Sequence, residues 1–365
     1  MIEQKNLADG IRILTLSTPG KVTTLSSAAN AALAAAIDAA LADDSVRGIV
    51  ITSNKSDFAV GGDIDELLRC RTPADLEAIV APFNAMSRRM ETGNKPVVAA
   101  LNGSALGGGF ELALACHRRI AAQNDKARFG LPEAGLGLMP GAGGTQRLPR
   151  LIGLKAAADL ILAGRTVDAN TALQLGMIDD LVSPEHLLDA ACAWLRTSPT
   201  PVQPWDAKGF KLRDFDPQSI EGRRYFAMQW ARHRTRSAGT NHAATAILHT
   251  LHHGLQRTLE AGIAIETRNF SQLGAEPDAH NRIRTLFFGP REATANARAA
   301  AAAVSDLIAT VGVVGGGVMG KGIAFAAARA GLGVVLIDED ISKAQAAREQ
   351  IGLSAAKQVE RGFLP

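Results

Sequence analysis

The sequence predicts an α/β domain, then a mainly helical stretch, then the opening of a second α/β unit. Three observations carry this. Short β-branched runs alternate with Ala-rich segments of helical length up to about residue 150, the pattern of strands linked through helices. Beyond that point the chain reads as helix to about residue 300. A late strand then enters Gly315-Gly316-Gly317-Val318-Met319-Gly320 and an Ala-rich helix.

The elements follow in order. Residues 11–17 alternate and read as a strand, and 26–42 as an Ala-rich helix with Ser26 at its start. The β-branched runs at 48–52 and 96–101 read as buried strands. Residues 107–116 look helical, and 118–122 give a third such strand. Glycine-rich turns fall where strands end, the usual place for ligand sites in such folds. Helices are expected at 154–163, 168–175 and 186–196. The Pro-rich segment Ser198-Pro199-Thr200-Pro201-Val202-Gln203-Pro204 then marks a boundary. Residues 205–300 look helical with mixed charge. Their basic run, Arg223, Arg224, Arg232, Arg234 and Arg236, reads first as a solvated face, with a phosphorylated ligand or a partner as the alternative. Strands at 310–314 and 334–337, each followed by a helix, close the chain. The expected division is therefore 1–197, 198–306 and 307–365.

Composition excludes several classes. With 365 residues, 47% hydrophobic and 21% charged, the chain is globular and long enough for two or three domains. A net charge of +3 and 4% aromatic residues argue against nucleic acid and anionic membrane surfaces. No apolar run reaches the ~18–20 residues of a membrane span, and the polar N-terminus lacks a secretory h-region. Cys70, Cys116 and Cys192 are far apart, with no metal-like spacing, and read as reduced thiols of a cytoplasmic protein. His249 and His253 stand four apart on an expected helix, but no companion carboxylate motif makes them a metal pair. Asp63 and Asp65 follow a Gly-Gly turn and read as helix caps.

Two carboxylates stand out. Glu111 lies in Gly107-Gly108-Gly109-Phe110-Glu111-Leu112-Ala113-Leu114-Ala115, and Glu133 ends Phe129-Gly130-Leu131-Pro132-Glu133. A carboxylate in an apolar segment is costly unless paired or hydrogen-bonded, and such groups gather where chemistry is done. Two of them sharing a water can hold different protonation states, one acting as base and one as acid. Glycines at 61–62 and 107–109 let backbone N–H groups approach a substrate, and two N–H groups on one carbonyl oxygen form an oxyanion hole. Taken singly, each glycine block also fits a tight turn before a helix.

These residues, with Phe58-Ala59-Val60-Gly61-Gly62-Asp63-Ile64 and Pro140-Gly141-Ala142-Gly143-Gly144-Thr145-Gln146-Arg147-Leu148-Pro149, resemble the crotonase, or enoyl-CoA hydratase/isomerase, family over about residues 5–190. The resemblance implies a crotonase-like ββα spiral and an acyl-CoA substrate that needs no cofactor for hydration. It gives Gly62 and Gly108 the role of oxyanion donors to the thioester oxygen. Glu111 becomes the base, Glu133 the acid that delivers a proton to C2, and Gly141 the orienter of the water. Both carboxylates together point to a hydratase, with Δ3–Δ2 isomerisation or another acyl-CoA reaction as the alternative. Two departures stand out: the 22-position interval between the two glutamates is about two longer than in simple hydratases, and Thr23 replaces a common Asn.

The late turn supplies a second constellation. Gly315, Gly317 and Gly320 follow a strand and open a helix, and Asp338 ends the next strand 18 positions on. That is the context of the dinucleotide fingerprint, a partial Rossmann βαβ unit with pyrophosphate at the helix start near Met319 and Asp338 on the ribose of NAD. This segment resembles the start of a 3-hydroxyacyl-CoA dehydrogenase domain. The whole order, with Ile283-Arg284-Thr285-Leu286-Phe287-Phe288 in the helical connector, resembles the α-subunits of multifunctional fatty-acid oxidation complexes. It implies a thiolase β-subunit as partner. Only about 55 residues of the dehydrogenase unit are present, so the expectation is a C-terminally truncated chain unable to oxidise 3-hydroxyacyl-CoA. A non-catalytic remnant is the remaining alternative.

Overall fold

A six-stranded sheet organises the first half of the chain in the computed structural model, which describes residues 1–302 and 308–362. The strands in chain order are β1 (Ile2–Asn6), β2 (Ile11–Leu16), β3 (Gly48–Ser53), β4 (Val97–Leu101), β5 (Ala105–Leu106), β6 (Arg118–Ala122), β7 (Phe129–Gly130), β8 (Thr166–Val167) and β9 (Asp180–Val182). The large sheet runs β1-β2-β3-β4-β6-β9. It is parallel apart from β1, which pairs antiparallel to β2 in the register Ile2↔Leu16. A second sheet, β5-β7-β8, is built from two-residue strands. The helices of this half are α1 (Ser27–Ala42), α2 (Ile64–Arg69), α3 (Pro73–Thr92), α4 (Gly108–Ala115), α5 (Gly144–Ile152), α6 (Leu154–Ala163), α7 (Ala169–Leu175) and α8 (Leu187–Arg196).

The strands are covered on both faces, as a parallel sheet requires. Val50, Val98, Ala100 and Ile120 pack with Leu187, Ala191 and Leu195 of α8. The alternate residues Ile49, Ile51, Val97, Ala99 and Leu101 enter the main core with α1, α3 and α4. Capping sets the helix starts. Ser26 accepts from Ala29 N, Asp63 from Asp65 N and Glu66 N, and Thr72 forms a capping box with Asp75. Sequence periodicity located the long strands but not β1, β5, β7, β8 or β9. Three of these are two-residue pairings with no period to read, and β1 is mostly exposed and polar.

The Pro-rich segment is no gap in the packing: Gln203 is buried and its Nε2 donates to Ala115 O at 3.0 Å. After it come α9 (Ile220–Ser237), α10 (His242–Gly254), α11 (Leu259–Gly274) and α12 (Pro277–Ile283). Helix α11 packs on α3 and α5, and α10 on α5 and α6, so residues 1–290 form one compact unit. The five arginines of the basic run are exposed on α9. A π-helical stretch, Arg284–Phe288, leads into α13 (Gly289–Ala302).

Residues 291–365 make up the second unit. Here β10 (Thr310–Val314) leads through α14 (Val318–Arg329) to β11 (Gly333–Ile337) and α15 (Ile341–Glu360). The two strands pair in parallel from Thr310↔Gly333 to Val314↔Ile337. Among the described residues no helix is long and apolar enough to cross a membrane.

Candidate active site

The small sheet sets the turn that begins the site. Strand β5 pairs with β7, and Gly107 N donates to Gly130 O at 2.9 Å. Gly107 then turns the chain into α4 at φ +52° and ψ −130°, a conformation that side-chain-bearing residues avoid. A Cβ there would also lie 2.8 Å from Glu133 Oε1. Next along the chain, a Cβ on Gly108 would stand 3.5 Å from Gly62 N, which places the Gly62 and Gly108 backbones side by side. A cavity of about 510 Å³ opens on them. Gly62, Gly108, Glu111, Glu133 and Gly141 all line it, so the five residues expected of the first site share one chamber. Its apolar wall includes Val80, Phe83 and Leu136, joined by Phe270 from α11 and Leu286 from the π-helical stretch.

Glu111, buried in the first turn of α4, is held by the turn before α5. Its Oε1 accepts from Ala142 N and Gly144 N, each at 2.8 Å. Burial pushes its carboxyl up from 4.5 to about 7, against those two N–H groups and the Arg147 charge. Glu133 begins a 3-10 turn, Glu133–Leu136. Its Oε2 is buried with no hydrogen-bond partner among the described residues. Burial first, then the Glu111 charge, raise its carboxyl well above the usual range. Gly141 contributes its backbone to the chamber, with its carbonyl taken by Asn84 Nδ2 at 3.1 Å.

A third carboxylate escaped sequence reading. Glu266 of α11 is fully buried. It accepts from Gly143 N, from Thr145 N at 2.8 Å and from the Thr145 hydroxyl. Burial and then the Glu111 charge lift it to about 8. The signal was present in the pattern: Leu259, Ile263, Glu266, Phe270 and Leu273 follow helical spacing on the buried face, with one acid in the apolar stripe. Behind the turn, Arg147 donates to Glu91 through Nε at 2.7 Å and Nη2 at 3.0 Å, both side chains fully buried. Such a bidentate pair is tolerated inside because each partner satisfies the other.

The secondary candidates are placed as follows. His249 and His253 have ring centroids 4.4 Å apart, and burial lowers the His249 pKa. No cluster of three metal-ligating side chains occurs among the described residues. Cys70, Cys116 and Cys192 are buried free thiols. Asp63 caps α2, and Asp65 lies in the first turn of that helix.

In the second unit, Gly315 turns at φ +95° off β10, and a Cβ on Gly320 would meet Gly315 O at 1.7 Å. Only glycine permits that approach of helix to strand. Gly317 has open space where a Cβ would stand, and Met319 is 80% exposed at the start of α14. Asp338 Oδ2 accepts from Gly316 N at 2.6 Å, which holds its carboxyl below the usual range. The turn and the acid at the end of β11 thus meet in one place and fit a dinucleotide.

A parallel sheet that feeds glycine turns around carboxylates in one apolar chamber defines an α/β architecture shared with solved enoyl-CoA hydratases. Among solved structures, enoyl-CoA hydratase from Bacillus halodurans matches 78% of this chain and 99% of its own at TM-score 0.58 and 24% identity. Enoyl-CoA hydratase from Bacillus anthracis matches 74% and 89% at TM-score 0.51 and 26% identity. Human mitochondrial Δ3-Δ2-enoyl-CoA isomerase shares the fold at TM-score 0.57 and 22% identity, over 80% of this chain and 98% of that one. The enoyl-CoA hydratase/isomerase family model matches residues 6–200, and the chain belongs to that family. The model for the NAD binding domain of 3-hydroxyacyl-CoA dehydrogenase matches residues 310–365. Relatives named fatty acid oxidation complex subunit alpha include one from Idiomarina loihiensis, 36% identical over 331 residues, and one from Shewanella amazonensis, 36% identical over 323. These alignments cover 89% and 87% of this chain but 46% and 45% of the relatives, so the chain spans a little under half their length.

Proposed function

We propose that residues 1–290 hydrate trans-2-enoyl-CoA to L-3-hydroxyacyl-CoA in fatty-acid β-oxidation. The observation that carries this is the pair Glu111 and Glu133 in one chamber beside the adjoining Gly62 and Gly108 backbones. Burial raises the Glu133 carboxyl well above the usual range and Glu111 to about 7, which suits Glu133 to give a proton and Glu111 to take one. The thioester oxygen lies on the Gly62 and Gly108 N–H groups, which draw charge from C3. Water gives a proton to Glu111 as its oxygen bonds to C3. The C2=C3 electron pair moves toward the thioester oxygen, and Glu133 delivers a proton to C2. One water is added across the double bond, and exchange with solvent returns each carboxyl to its starting state. Gly141, which lines the same chamber, would orient the water. Each oxyanion donor contributes roughly 2.7–4 kcal/mol.

Loss of enoyl-thioester absorbance with crotonyl-CoA tests the reading. Rapid loss for the native protein and at least a hundredfold drop for Glu133→Gln are expected. Absence of turnover by well-folded native protein would sink it. Δ3–Δ2 isomerisation is a second reading, because Glu133 Oε2, which has no hydrogen-bond partner among the described residues, can carry a proton between C4 and C2 without water. A 3-enoyl-CoA substrate would then still isomerise with Glu111→Ala, whereas hydration would be lost.

The division into a hydratase segment 1–197, a helical connector 198–306 and a dinucleotide-binding segment 307–365 belongs to the same proposal. In the last segment, Gly315, Gly317, Met319 and Gly320 would cradle the NAD pyrophosphate and Asp338 would face the ribose. NAD would supply a hydride acceptor. The relatives' description as one subunit of a complex supports a thiolase β-subunit as partner, tested by co-elution of the two chains. A cytoplasmic setting accords with the buried free thiols.

A further inference from the structure

The proposed reaction leaves Glu266 unused, yet this buried carboxylate grips the same turn that holds Glu111. The turn from Ala142 to Thr145 presents four successive N–H groups, and they divide in alternation. Ala142 and Gly144 donate to Glu111; Gly143 and Thr145 donate to Glu266. One acid comes from α4 and the other from α11. Further contacts lock the second side. Gln146 Nε2 donates to Thr145 Oγ1 at 3.0 Å, which leaves the hydroxyl proton for Glu266. Helices α10 and α11 close over Gln146 at Gly254 and Gly262, where a Cβ would come within 2.5 and 2.3 Å of its amide.

We propose that Glu266 is a positioning residue for the proposed hydration: by gripping alternate amides of this turn it fixes the direction in which Glu111 meets the water. The inference rests on the hydratase reading for its kinetic arm only. A turn held from one side alone can rotate about the Glu111 contacts, and a misplacement of about 1 Å at a reacting group costs on the order of a hundredfold in rate. Glu266 lines no part of the chamber, so substrate affinity should be spared.

The test is Glu266→Gln. Its amide oxygen can replace the acceptor at Thr145, but its NH₂ then faces Gly143 N–H, donor against donor. The expected result is kcat lower by about 10- to 100-fold with KM within about twofold, and faster hydrogen exchange in a peptide covering 141–146. Thr145→Val, which removes the hydroxyl donor, should move both readouts the same way, and Thr145→Ser should restore them. Native kcat and native exchange in Glu266→Gln would overturn the inference. If that variant does not fold, the Thr145 pair decides: Val behaving like Ser overturns it. If native protein hydrates no enoyl-CoA, the hydratase reading fails, while exchange in the same variants still tests the grip.

Discussion

Glu111, Glu133 and Glu266 all have carboxyls raised by burial, two of them to about 7 and about 8. The consequence for stability has a definite sign. A group that binds its proton more tightly when folded stabilises the fold fully below its unfolded pKa, here 4.5, and loses that contribution as pH rises through the folded value. The melting temperature should therefore fall between about pH 5 and about pH 8.5, most steeply below neutrality, where folded Glu111 and Glu266 still hold protons that the unfolded chain has released. A differential-scanning series across this range checks it, and a melting temperature rising over the interval would contradict it. The first two carboxylates were legible because each sits in a glycine-rich, otherwise apolar string. Glu266 was hidden because its helix reads as an ordinary mixed-charge segment until the buried face is known. Arg147 and Glu91 were hidden for a different reason. Their pairing spans 56 positions, and no local pattern announces it.

Among the elements, the long strands and many helices follow from periodicity, and the predicted helix at 154–163 coincides with α6, whereas α5 and the 20-residue α3 were not foreseen, and α2 only through its Asp63 cap. The two-residue strands that aim the turns do not follow, because their pairing depends on chain segments meeting in space. Helix α4 shows what such a turn demands. Gly107→Ala would place a side chain in a conformation costing roughly 1–3 kcal/mol and push a methyl against Glu133 Oε1. Crotonyl-CoA hydration should fall about a hundredfold with a melting temperature lower by a few degrees. Full activity in that variant would show that the turn tolerates a Cβ and that the carboxyl has room to move.

The chain clusters into two compact units, 1–290 and 291–365, and the proposed boundary at 197 lies inside the first. Proline composition signals a break in secondary structure, but not whether the flanking pieces share a core; Gln203, buried against Ala115 O, shows that here they do. The second unit is of another kind: two paired strands with Val314, Val335 and Ile337 half-exposed or more. A two-stranded sheet is marginal by itself. Calorimetry should resolve a large transition for residues 1–290 and a small one at lower temperature for the remainder. NAD should raise the small transition alone, and a single transition shifted as a whole by NAD would refute this division.

The shared turn at 142–145 also bears on how such chains can be recombined. Half of its amides are satisfied by a residue more than a hundred positions away, on a helix outside the segment that carries Glu111 and Glu133. A chimaera joining this sheet segment to a foreign connector would inherit both proposed reacting acids and still lack half the grip, unless the donor brought a carboxylate to the place of Glu266. The two segments are thus joined through one turn, distant in sequence but sharing its amides.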